Sequence, residues 1–166
     1  MKIVVTFLLV MIVQTAAFGQ KRQVVEDPDI EFSYELPKGW KTFDDEYYLY
    51  LIPRSRHGDE NFSITYLETN RTDLEEQFKS TLKHFYPLNE PSFKVIDQGD
   101  ETVGESKAKW AIFDSEFENI KYRSYLFFFI QNGQIFKLRG TARLDNFDKH
   151  RANFLRISKS IESKRR

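Results

Sequence analysis

The dipeptide Asn132-Gly133 is the feature that most limits how this chain can fold. It lies between two long runs of β-forming residues, 120–131 and 134–143. Asn-Gly is the strongest short hairpin signal, because both residues tolerate the positive φ of a type I′ turn. A two-residue loop sets Gln131 opposite Gln134 and so fixes every pair behind it. One face then pairs Phe129 with Phe136, Phe127 with Leu138 and Tyr125 with Gly140. This wholly apolar face is expected to be the main core face. Gly140 leaves room either for the Tyr125 ring or for the close approach of a helix. The other face pairs Ile130 with Ile135, Phe128 with Lys137, Leu126 with Arg139, Ser124 with Thr141 and Tyr122 with Arg143. Large rings on both sides of Phe127-Phe128-Phe129 predict a central strand covered, at least in part, on both faces.

Other strands follow from alternation. Phe32, Tyr34 and Leu36 share one side of 31–36, and Pro37-Lys38-Gly39 turns the chain into Trp40. Residues 47–52 form a second strand. Phe62, Ile64 and Tyr66 alternate with Ser63 and Thr65 in a third. Residues 93–98 are strand-like, with turns expected at Gly99-Asp100-Glu101 and Gly104-Glu105-Ser106. Residues 108–117 place Trp110 and Ile112 on one face, Ala111 and Phe113 on the other. Helical spacing appears twice. Leu74, Phe78, Leu82, Phe85 and Tyr86 predict a helix begun by a Thr72/Glu75 capping box and stopped by Pro87. Phe147, Phe154, Ile157 and Ile161 predict a last helix capped by Asp145.

The amino end has a separate logic. Lys2, an apolar run over 3–13 broken by Thr6, and the small residues Ala17 and Gly19 have the layout of a cleaved secretory signal. The run is about half the roughly 20 residues that a membrane-spanning helix needs. The expected organisation is therefore a signal peptide at 1–19, a flexible arm at 20–29, a single domain at 30–163 and a basic tail at 164–166. The product is expected to be exported, to the periplasm or the exterior, with no stable membrane anchor after cleavage. The chain has no cysteine, which excludes disulfides, thiol catalysis and cysteine metal sites. Its formal net charge is +0, which argues against nucleic acid as a partner. Sixteen Phe and eight Tyr read as an aromatic-rich core.

The segment Leu36-Pro37-Lys38-Gly39-Trp40 resembles the Leu-Pro-x-Gly-Trp opening of PsbP-like domains, the Mog/PsbP/DcrB group. The order of elements is similar too. A strand like that of Asn61-Phe62-Ser63-Ile64 precedes a helix like 74–86. An aromatic-rich antiparallel run then leads to a closing helix like 147–161. The resemblance implies an α+β fold, an α/β/α sandwich with a central antiparallel sheet flanked by helices. The group includes an extrinsic photosystem subunit, a Ran-binding import factor and exported bacterial proteins, so the resemblance implies no particular activity.

No nucleophile elbow, zinc-protease motif, phosphate loop or dinucleotide fingerprint is present, and no cofactor is expected. The chain has three histidines. His57 sits in a charged loop at 54–61, His84 on the polar side of the first helix, and His150 on the apolar stripe of the last. A half-buried, hydrogen-bonded role is the default for His150. The surface that invites attention is the mixed hairpin face. Lys137, Arg139 and Arg143 alternate there opposite Phe128, Leu126 and Tyr122. Cations beside rings suit a carboxylate or phosphate. The competing reading has local carboxylates neutralising these bases while their stems pack on rings. The expected function is a non-enzymatic exported binding or assembly module. Its partner is a protein or an anionic ligand, held by Lys137, Arg139, Arg143, Tyr122 and Phe128. The alternative is a small ligand carrier or hydrolase with a histidine-lined pocket.

Overall fold

A computed structural model describes residues 22–26, 31–45, 48–53, 60–68, 73–90 and 92–164. The proposed signal at 1–19 and the His57 loop at 54–59 lie outside the described residues, as does Thr72. The strands are β1 (Arg22–Glu26), β2 (Glu31–Glu35), β3 (Trp40–Asp45), β4 (Tyr48–Pro53), β5 (Asn61–Glu68), β6 (Lys94–Val103), β7 (Ser106–Phe117), β8 (Ile120–Gln131), β9 (Gln134–Arg143) and β10 (Glu162–Lys164). The helices are α1 (Leu74–Ser80), α2 (Tyr86–Asn89) and α3 (Phe147–Lys159), with a π-helical turn at Thr81–Phe85 between α1 and α2.

Seven strands form one sheet in the order β3-β4-β5-β9-β8-β7-β6, with every neighbouring pair antiparallel. The hairpin register is the one its loop dictates, from Gln131↔Gln134 back to Tyr122↔Arg143. Asn132 and Gly133 take φ of 53° and 75°, as a type I′ turn requires. The fold is α+β, with helices on both faces of this sheet.

On one face lie Tyr125, Phe127, Phe129, Phe136 and Leu138, packed with Phe147, Phe154 and Ile157 of α3. Fully burying such a ring contributes about 1.5–3 kcal/mol, which makes this layer the principal source of stability. Gly140 admits α3, as the second of its two expected roles: the Phe154 ring occupies the space where a side chain would stand. Trp40 is buried edge-on to Phe154 at 6.4 Å. Its N–H closes the preceding turn onto the Pro37 carbonyl at 3.0 Å, with Gly39 at φ 82°. On the opposite face Ala111, Phe113, Leu126 and Phe128 pack beneath Phe78 and Tyr86 of the α1–α2 layer.

Several expectations are corrected. Residues 22–26, expected in a flexible arm, form β1 against β2. Lys164, expected in a basic tail, closes β10, which flanks β2 on its other side, and it pairs with Glu31 at 2.5 Å. The three strands make a second sheet, β1-β2-β10. It shares the α3 face, where Phe32 meets Phe136 at 5.5 Å and Tyr66 at 5.0 Å. The supposed turn at 99–101 is the interior of β6. Gly99 is needed there because Trp110 lies over it, 2.9 Å from where a Cβ would sit. The cap of α1 is Asp73, accepting from the Glu76 N–H at 2.9 Å. Asn146, not Asp145, precedes α3, with no side-chain cap bond.

Pro87 does not end the first helical segment. The chain widens into the π turn just before it, with the Tyr86 N–H donating to the Thr81 carbonyl, and then adds one more turn as α2. Widening relieves the clash between a proline ring and the carbonyl four residues back.

Candidate functional site

Across the α1–α2 face of the large sheet the chemistry changes strand by strand. Ala111 and Phe113 on β7 and Leu126 and Phe128 on β8 are buried under the helices. Lys137 and Arg139 follow on β9, then Asn61, Ser63 and Thr65 on β5, whose alternate residues Phe62 and Ile64 serve the other core. Helix α1 packs on β7 and β8, and Glu90 just after α2 reaches Arg139 of β9. The result is a trough of ≈ 590 Å³ between α2 and β5, floored by Lys137, Arg139, Thr141 and the β5 polar residues and walled by Phe85, Tyr86, Asn89 and Glu90. A second concavity of ≈ 500 Å³ shares Asn61, Asn89, Glu90, Arg139 and Thr141 and continues to Ser115, Glu116, Phe117 and Tyr122.

Arg139 anchors the floor. Its guanidinium donates to both Glu90 oxygens, at 2.5 and 3.1 Å, in a two-pronged pair. Its Nε donates to Ser124 Oγ at 3.1 Å and Thr141 Oγ1 at 3.2 Å. The same group lies over Tyr86 and Phe113, 5.4 and 5.0 Å from the ring centroids. Ser124 and Thr141 share a hydroxyl hydrogen bond of 2.8 Å. Three of the guanidinium's five N–H groups are engaged in this cluster, which fixes it in place.

Lys137 differs. Its Nζ stands 4.3 Å from the Phe85 ring centroid. Burial first, and the Arg139 charge second, push its ammonium below its ordinary value. No carboxylate among the described residues offsets this.

The sequence-chosen residues are thus divided by the structure. Lys137 and Arg139 lie together in the trough, and Tyr122 lines its continuation. Arg143 is exposed and pairs in register with Tyr122, outside both linings. Phe128 is only 4% exposed, its ring 6.2 Å from Phe78, so it supports the site from beneath and is no contact residue. The competing reading of the basic face holds for Arg139, which Glu90 neutralises. His150 is on the other side of the sheet, its Nε2 3.8 Å from Glu60 Oε1 and its ring against Phe154. His84 is exposed on the π turn. Among the described residues no three His, Asp or Glu gather as a metal site.

Sequence reasoning missed Glu90, Asn89 and the β5 residues. Ser63 and Thr65 carried a signal, since alternation with Phe62 and Ile64 sends them to the opposite face. That this face adjoins Lys137 depends on β5 pairing with β9, Thr65↔Lys137, a contact between distant parts of the chain.

No protein-family model matches the chain, and no curated protein matches it in sequence. Solved structures do match. The solution structure of cyanobacterial PsbP (CyanoP) from Synechocystis sp. PCC 6803 superimposes with a TM-score of 0.63 at 14% identity, covering 90% of this chain and 96% of that one. The fold is PsbP/Mog1-like. LpqN of Mycobacterium tuberculosis shares this PsbP-like fold at TM-score 0.65 and 13% identity, over 87% of this chain and 91% of its own. The Ran-binding protein Mog1p of Saccharomyces cerevisiae matches at 0.58 and 10%, over 87% and 96%. The expected resemblance therefore holds at the level of the PsbP-like fold.

Proposed function

We propose that the chain is an exported, non-catalytic binding or assembly module that meets its partner through the trough between α2 and β5. The observation that carries this reading is the trough itself, where Lys137 and Arg139 lie beside the hydroxyls of Ser63, Thr65 and Thr141 at the border of the helical layer. A concavity of ≈ 590 Å³ lies within the usual size of ligand sites. Its carboxylate, Glu90, is committed to Arg139, which suits holding better than proton transfer. Lys137, Arg139 and Tyr122 are the contact residues, with Arg143 at the rim. Near-neutral charge speaks against nucleic acid, and the signal-like leader supports export without a lasting anchor. LpqN is involved in cell envelope biogenesis and Mog1p binds Ran, which is compatible with the same reading.

Photo-crosslinking in producing cells tests it. Benzoylphenylalanine placed at Asn89 or Thr65 is expected to capture a partner or ligand, while the same probe at Lys149 on α3 captures none. Adducts from Lys149 alone would transfer the working surface to the other face and end the proposal.

A further inference from the structure

The trough, taken as the working surface proposed above, also indicates the chemistry of what it holds. Arg139 has its counter-charge in Glu90. Lys137, two residues along the same strand, has none among the described residues, and sits half-buried against Phe85. Removing an ammonium from water without a counter-ion is unfavourable, and one aromatic face offsets this only in part. The described lining next to Lys137 therefore holds two cations and one carboxylate, and a single added negative charge would balance it. Along β5 the floor carries Thr65 opposite Lys137, then Ser63 opposite Arg139 and Asn61 opposite Thr141, two hydroxyls and an amide that can donate and accept hydrogen bonds. The cation suits a carboxylate or phosphate, and the amide and hydroxyls suit hydroxyl groups on the ligand body.

We propose that this trough binds a small hydroxyl-bearing organic anion, a sugar acid or sugar phosphate, with its charged group on Lys137 and its hydroxyls on Asn61, Ser63 and Thr65.

The test is an NMR titration of the protein with glucuronate, glucose 6-phosphate and uncharged glucose. At least one anion is expected to give saturable amide shifts at residues 63–65 and 137–139, with no matching response to glucose. The two anions separate the carboxylate from the phosphate. Lys137→Met, which removes an uncompensated charge and should fold at least as well, is expected to weaken binding about tenfold or more. Lys137→Arg should retain it. The proposal is overturned if neither anion gives saturable shifts, if glucose binds equally, or if Lys137→Met binds as tightly as the parent. Should trough crosslinks still capture a partner in that case, only the ligand class is lost; should they fail too, the trough itself is the wrong surface.

Discussion

Phe154 of α3 stands on Gly140 of β9, so closely that a Cβ added at Gly140 would fall 2.3 Å from the ring's Cγ. The helix and sheet touch there through one missing side chain. Gly140→Ala is expected to cost about 1–3 kcal/mol by overpacking. Phe154→Ala should cost about 3–5 kcal/mol by leaving a cavity. A smaller residue at 154 should recover part of the Gly140→Ala loss, measured as non-additivity in urea unfolding of Gly140→Ala with Phe154→Leu. Full additivity would mean that the two residues do not share that space.

The Arg139–Glu90 pair is intermediate between a surface and a buried ion pair, with side chains 26% and 21% exposed. Glu90→Ala strands a guanidinium over two rings and should lower stability by about 1–2 kcal/mol. That exceeds the ~0–1 kcal/mol of a surface pair and falls short of the ~3–5 kcal/mol of a fully buried one. Combining it with Arg139→Met should cost less than the two single losses together. Chemical denaturation of the four proteins checks this; a Glu90→Ala variant indistinguishable from the parent would show the pair to be incidental.

Lys137 predicts a pH signature in the alkaline range. Its folded-state value is depressed below 10.5 by burial and then by Arg139. Between the depressed value and 10.5 the unfolded chain binds more protons than the folded one, so this group makes stability rise with pH. The charged lysine is a burden below that window and ceases to be one as it deprotonates within the fold. The stability advantage of Lys137→Met over the parent should therefore shrink from pH 8 toward pH 10.5. A constant advantage in paired denaturation curves would refute the assignment.

Strand β10 is held to the hairpin turn through Ser163. Its N–H donates to Gln131 Oε1 at 3.0 Å and its hydroxyl to Gln134 Oε1 at 2.9 Å. Its carbonyl accepts from Asn132 Nδ2 at 2.9 Å. Removing residues 162–166 should speed amide exchange at 31–33 while the Phe127–Phe129 amides stay slow, because opening would be local to the small sheet. Equal acceleration at both places would mean that β10 supports the whole domain.

Legibility followed the range of the interactions. The β8–β9 pairing needs only a two-residue loop and alternation, so its register was readable, while the choice between two roles for Gly140 waited on the position of Phe154. The two faces of β7 were readable for the same reason, with Trp110 and Phe113 on opposite sides. The small sheet was not, because β1 and β10 are individually too short and polar to announce a strand and exist only through β2. The π turn was hidden because Pro87 reads as a stop, and its rule concerns ordinary helical geometry. At the site, the two cations of β9 were visible locally. Glu90 could be assigned to Arg139 only once the extra turn past Pro87 had been seen.

The first and last described strands flank the same partner, β2. Ribosomes deliver a chain in one direction, so β1 and β2 emerge with their neighbour still unmade, and the final residues must return across the whole length to seat beside them. Such a long closure tends to slow folding. The small sheet should therefore be the last part of the molecule to mature, and a nascent chain halted before Glu162 would leave β2 with a bare edge for chaperones or other chains to find.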